Sequence, residues 1–104
     1  MVLTRAFKTT VRTRAAVDPA YRQALLTEGV NALLAGEMAM GKAVLRDYIN
    51  ATIGFEALAV AVGKPSKSLM RMFGPRGNPS ASSLFAVIDC LREAEGVTLE
   101  VRAA

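Results

Sequence analysis

The sequence contains no histidine, no tryptophan and a single cysteine, Cys90. Without histidine there is no His-centred nucleophilic relay, and without a second Cys or any His the usual zinc cages cannot be built. One cysteine closes no intrachain disulfide and fits a reducing compartment. Its apolar neighbours Val87, Ile88 and Leu91 assign it to the core as a small hydrophobe rather than to the surface as a reactive thiol. The longest uninterrupted apolar run, Ala57 to Val62, falls far short of the ~20 residues of a membrane span. The basic first 17 residues lack the apolar stretch of a secretory signal. Together these absences argue against a hydrolytic or metal-dependent enzyme and against a membrane protein. No catalytic residue, metal site or cofactor is expected, and the expected location is cytoplasmic.

What is present suits one soluble domain. The 104 residues are enough for a single core, and 52% hydrophobic against 21% charged residues is a globular rather than a disordered balance. Thirteen Lys and Arg against nine Asp and Glu leave a charge of +4, which favours a polyanionic partner. The charges are also segregated. Met1 to Val17 carries Arg5, Lys8, Arg12 and Arg14 with no acid, whereas Asp18 to Glu56 holds five acids and three bases. From Ala57 to Ile88, 32 residues carry Lys64, Lys67, Arg71 and Arg76 and again no acid. The last 16 residues turn acidic once more. The acid-free central block is the strongest compositional signal in the chain.

Helical punctuation is clear. Thr4, Phe7, Val11 and Ala15 mark a short helix that Asp18-Pro19 stops, and the same dipeptide starts the next, with Asp18 as N-cap and Pro19 in the first helical position. Tyr21, Leu25, Leu26, Val30, Leu33 and Leu34 recur at helical spacing until Gly36. A third helix is expected from about Met38 to Ile53, burying Val44, Leu45, Tyr48 and Ile49 and turning Lys42, Arg46 and Asp47 to water. Two short helices follow, near Phe55 to Val62 and Ser66 to Phe73, and after a Gly/Pro loop Ser80 or Ser82 caps a last helix that Gly96 ends. Val97, Leu99 and Val101 alternate with Thr98, Glu100 and Arg102, the period of a half-buried strand. The expected fold class is therefore all-α, with a short C-terminal strand over residues 97–102 that needs a partner.

Between Phe55 and Phe73 the pattern Leu58-Ala59, Val62-Gly63, Leu69, Met72 has the spacing of a helix-turn-helix. A small residue at Ala59 lets the second helix cross closely, Gly63 permits a left-handed turn, and Leu58, Val62, Leu69 and Met72 fill the wedge. At 100° per residue, with Lys67 as zero, Arg71 lies at about 40° and Ser68 at about 100°, while Leu69 and Phe73 point to about 200° and 240°. Cations and core residues thus occupy opposite sides. Arg71 and Ser68 are placed for base edges, and Lys67 with Lys64 for phosphates. Ser66, Arg76 and Asn78 complete the expected DNA-contacting set.

Leu58-Ala59 to Gly63, Ser66-Lys67-Ser68-Leu69 and Gly77-Asn78-Pro79 followed by Leu84, Val87 and Ile88 resemble the HigA-like addiction-module antidote proteins, within the lambda-repressor-like helix-turn-helix class. The resemblance spans roughly Leu33 to Val101. It implies a lambda-repressor-like domain, here with extra N-terminal helices, that binds operator DNA as a homodimer and neutralises a RelE-like messenger-RNA-cutting toxin. Phe55 stands where many of these repressors carry a DNA-touching glutamine, and Lys64 replaces an apolar turn residue. The expected organisation is a basic N-terminal arm or helix over residues 1–17 and a helix-turn-helix domain over 18–104.

Other signals point elsewhere. Gly74-Pro75-Arg76-Gly77 has the form of a KH-domain backbone clamp, but the chain offers no three-stranded sheet. No Gly-Lys-Ser/Thr follows it as in a P-loop. Asp89 and Glu93 share a helical face as solvated charges, and Met38, Met40, Met70 and Met72 are expected to pack in the core or its turns. The rival to DNA binding is a protein-interaction module whose basic block only solubilises it.

Overall fold

The Asp18-Pro19 dipeptide divides the first two helices as expected, α1 over Arg5–Val17 and α2 over Pro19–Leu34. Asp18 Oδ1 accepts a hydrogen bond from the Tyr21 amide at 3.1 Å, satisfying one of the free donors of the first turn. The computed structural model describes residues 5–104, with side chains from Thr10 onward. The expected roles of Thr4 and Phe7 in the first stripe, and the cations Arg5 and Lys8, lie outside the described side chains. Four more helices follow: α3 over Met38–Ala51, α4 over Phe55–Val62, α5 over Ser66–Met72 and α6 over Ala81–Glu95. Ser80 caps α6 by accepting from the Ser83 amide at 3.2 Å.

The long pair α2 and α3 forms the body of the domain, and its close contact depends on two glycines. A Cβ on Gly29 would stand 2.8 Å from Leu45 Cδ2, and one on Gly41 would stand 2.5 Å from Leu33 Cδ2. Leu26, Leu45, Tyr48 and Ile49 from this pair join Phe55, Leu58, Leu69, Phe73, Leu84, Val87, Ile88 and Leu91 in one continuous core. Val11 and Ala15 of α1 are also buried. A polar tie runs through the packing. Glu95, its side chain only 5% exposed, accepts from the Tyr48 hydroxyl at 2.6 Å and pairs with Arg22 at 3.1 Å, while Arg22 also donates to the Ala15 carbonyl at 2.8 Å. One buried carboxylate thereby fixes α1, α2, α3 and α6 relative to one another. Burial and the neighbouring Glu95 push the Tyr48 phenol well above its ordinary range.

Three expectations need correction. Among the described residues there is no strand, and residues 97–104 form no regular element. Val97 and Leu99 are half-buried between exposed neighbours, so the two-residue alternation is real, but a strand is defined by a ladder and no other described segment supplies one. Lys42 does not face water: it is 7% exposed. Met38, Met40 and Met70 stand exposed, and only Met72 packs against the core. Cys90 is half-buried against the core as expected, and burial together with Glu93 and Asp89 raises its thiol pKa. No helix among the described residues is long and apolar enough to cross a membrane.

Candidate nucleic-acid interface

Helices α4 and α5 are joined by the three residues Gly63, Lys64 and Pro65. Gly63 adopts φ +69° and ψ +34°, a left-handed conformation that glycine reaches without penalty, and its amide donates to the Ala59 carbonyl. Lys64 donates to the same carbonyl at 3.1 Å, which closes the turn tightly. Leu58 and Leu69 are fully buried between the two helices and the core, with Val62 and Met72 packed beside them. Phe55, at the departure from the family pattern, is a core residue here. Its ring lies 6.3 Å from that of Phe73 at a tilted 56°, a favourable edge-on geometry that anchors the start of α4 to the end of α5.

This burial orients α5. With Leu69 at 0% and Phe73 at 1% exposure on the inner side, Lys67, Ser68, Met70 and Arg71 are turned outward. Arg76 and Asn78 are exposed on the following loop, and Lys64 and Ser66 are half-exposed around the turn. Ser68, Arg71, Arg76 and Asn78 line one shallow open groove together with Met72, Gly77 and Pro79. Lys64, Ser66 and Lys67 lie outside that lining. Among the described residues, ion pairs engage Arg14, Arg22, Arg92 and Arg102, and none engages Lys64, Lys67, Arg71 or Arg76. The acid-free block of the sequence is therefore also a surface whose cations lack an acidic partner.

The loop that carries Arg76 and Asn78 is held from two sides. A Cβ on Gly77 would collide with the Arg71 carbonyl and stand 2.5 Å from that of Met72, so only glycine lets the loop fold back onto the end of α5. From beneath, the buried Lys42 donates to the Gly77 carbonyl at 2.7 Å and the Gly74 carbonyl at 3.1 Å. The loop adds its own turns, Gly74 amide to Arg71 carbonyl at 3.1 Å and Gly77 amide to Gly74 carbonyl at 3.0 Å. Lys42 was not among the expected site residues, although its position carried the signal. It lies three residues before Leu45 and seven before Ile49, on the buried stripe of α3, where a lysine must find acceptors.

Arg14, one of the cations assigned to a basic arm, is committed to the fold: it pairs with Asp18 at 3.7 Å and stacks 4.6 Å from the centre of the Tyr21 ring. Among the described residues no cluster of Cys, Asp or Glu could hold a metal ion. Comparison with family profiles, curated proteins and solved structures finds no match to this chain.

Proposed function

We propose that the chain is a helix-turn-helix protein of lambda-repressor-like type that binds double-stranded DNA sequence-specifically and represses transcription by occupancy rather than chemistry. The observation that carries this reading is the outward face of α5 and its loop, where Lys67, Ser68, Arg71, Arg76 and Asn78 are exposed and the cations are without acidic partners, while Leu69 and Phe73 are buried. At 1.5 Å per residue the seven residues of α5 span about 10 Å, which matches a major groove about 12 Å wide. Arg71 is suited to paired hydrogen bonds with guanine O6 and N7, and Ser68, Arg76 and Asn78 beside it can reach neighbouring base edges or phosphates. Lys64 and Lys67, outside the groove, suit phosphates.

A helix this short reads only a few base pairs, so the reading includes two copies acting on one face of the duplex, about 34 Å apart. The resemblance to HigA-like antidotes extends the proposal to the antitoxin half of a bacterial toxin-antitoxin pair, neutralising a RelE-like toxin. Some toxins of that class are basic, so the acidic segment Asp18 to Glu56 is the better docking surface for one. A protein-interaction module without DNA is the second reading, favoured by the exposure of Leu34, Met38, Met40 and Phe85.

Binding titrations across salt concentrations test the main reading. Arg71→Ala should cost ~1–3 kcal/mol and relax base preference, whereas Lys67→Ala should weaken all sequences alike and reduce the salt slope by about one. Unchanged binding in both variants would remove α5 as the reading helix.

A further inference from the structure

The C-terminal segment leaves two features of this chain unsatisfied at once. Val97 is tied back to α6, its amide donating to the Arg92 carbonyl at 3.2 Å and its carbonyl accepting from Arg92 Nη1 at 3.4 Å. Beyond it, among the described residues, the main-chain groups of Thr98 to Arg102 make no hydrogen bond within the chain. Beside this open backbone lies a largely apolar groove between α2 and α6, lined by Val30, Leu34, Phe85, Ile88, Leu99 and Val101 together with the charged Asp89, Arg92 and Glu100. Leu34, Phe85 and Val101 are 58%, 61% and 78% exposed. A row of unpaired amides and carbonyls next to an uncovered apolar patch is a template for another strand.

We propose that the occupant is the same segment of a second copy, paired antiparallel about a two-fold axis through Val101. Charge and side-chain period choose both the partner and the register. With Val101 opposite itself, Glu100 of each chain, which pairs with its own Arg102 at 3.1 Å, also faces Arg102 of the other, twice over, and Leu99 faces Ala103 on the apolar side. An axis through Glu100 would oppose two carboxylates, which is destabilising. An axis through Leu99 would leave Glu100 opposite Thr98 and would require pairing by Val97, whose groups are already used. A shift by a single residue would place apolar side chains opposite polar ones. The pairing is isologous and closes after two copies, and it brings Leu34 and Phe85 of both chains toward the shared strands. It supplies the ladder that the 97–102 alternation calls for. It deepens the two-copy part of the function proposed above and rests on that reading for its purpose, though the pairing itself requires no DNA.

The test uses the full chain; Glu100, Val101, Arg102 and Ala103 are exposed, so changes there spare the fold, whereas Leu99 is half-buried against the core. Directly opposed positions of antiparallel strands lie about 4.5–5.5 Å apart at Cβ, close enough for a disulfide to form with small adjustment. Val101→Cys should therefore give a disulfide-linked dimer on mild oxidation. Wild type, which retains Cys90, and Leu99→Cys alone should not, whereas Leu99→Cys mixed with Ala103→Cys should give the mixed dimer. In sedimentation without DNA, Glu100→Arg should weaken self-association about tenfold, and Glu100→Arg combined with Arg102→Glu should restore it. A chain that remains monomeric at tens of micromolar overturns the proposal, as does a dimer that links through Leu99→Cys alone or one indifferent to both charge changes. A monomer whose Val101→Cys links only to an added toxin would also overturn it. Duplex DNA binding by such a monomer would leave the functional reading standing, while a confirmed dimer with no DNA binding would remove that reading and not this one.

Discussion

Replacing Lys42 with methionine removes the ammonium while keeping most of the unbranched stem, so the packing of α3 should survive and the loss falls on two contacts. Those are the bonds to the Gly77 carbonyl at 2.7 Å and the Gly74 carbonyl at 3.1 Å. The Gly74 carbonyl keeps the Gly77 amide as a partner, so the principal orphan is the Gly77 carbonyl. A fully buried acceptor left unsatisfied costs about 1–3 kcal/mol, an upper bound for the carbonyl of this half-exposed loop residue. The second lost bond adds to this, and relief from desolvating the ammonium offsets part of it. A net loss of about 1–2 kcal/mol follows, and at about 4 °C or more per kcal/mol for a domain of this size it should be plain in thermal melting. The more informative effect is local. With the tether gone, Arg76 and Asn78 lose their fixed relation to Arg71, and affinity for the preferred duplex should fall about tenfold, equivalent to about 1.4 kcal/mol. Val11→Ala, a truncation in the packing of α1, is the control, because it lowers stability without touching the loop. Both variants would be melted and titrated with DNA at a temperature where each is fully folded. Lys42→Met binding as well as Val11→Ala would refute the tether, whatever the melting temperatures.

Other outcomes follow from the same geometry. Gly77→Ala drives a methyl into the Arg71 and Met72 carbonyls, so the loop must lift from α5, and duplex affinity should fall at least as far as in Lys42→Met; wild-type titration would rule out the close approach. The Tyr48 phenol has a raised pKa in the folded chain, so its contribution is fully present below pH ~10, the unfolded value, and is lost as pH rises beyond it. Denaturant unfolding should therefore show stability declining above about pH 10, and Tyr48→Phe should remove that share of the decline while costing about 1.5–3 kcal/mol at neutral pH, because the lost bond is to a carboxylate; an unchanged alkaline profile would count against it. Co-expression with the neighbouring open reading frame should retain a small toxic partner, and substitutions in the acidic segment Asp18 to Glu56 should release it; no partner, with no growth defect from the neighbour alone, would leave a stand-alone repressor.

Much of this was legible in the sequence because it is written in local chemistry. Asp18, Pro19 and Ser80 act at helix starts and Gly36, Gly63 and Gly96 at helix ends through their own backbone or nearest neighbours, so no tertiary knowledge is needed to place them. The outward face of α5 followed from the angle between Lys67 and Leu69 alone. The misplacements share a different cause. Lys42 was assigned to water by its charge although its position is on the buried stripe, and only the folded loop reveals the two carbonyls that admit it. Gly77 needs its small size because of a carbonyl from another element, which spacing does not encode. Val97 and Leu99 alternate in burial as their pattern requires, but a ladder depends on a second segment that the described residues do not offer. The methionines at 38 and 40 are apolar by composition and exposed by position, at the start of a helix whose inner face is already filled by Gly41, Leu45 and Ile49.

The central claim is sequence-specific duplex recognition by α5 and its loop. Its most direct test is selection of duplexes from a random pool on the full-length chain, followed by titration of the enriched site and a scrambled duplex at several salt concentrations. The account predicts an enriched imperfect palindrome, with half-sites about one helical turn apart, bound ~10³-fold or more above the scrambled duplex and losing that preference in Arg71→Ala. No enrichment, or equal binding to both duplexes with Arg71→Ala unchanged, would contradict it.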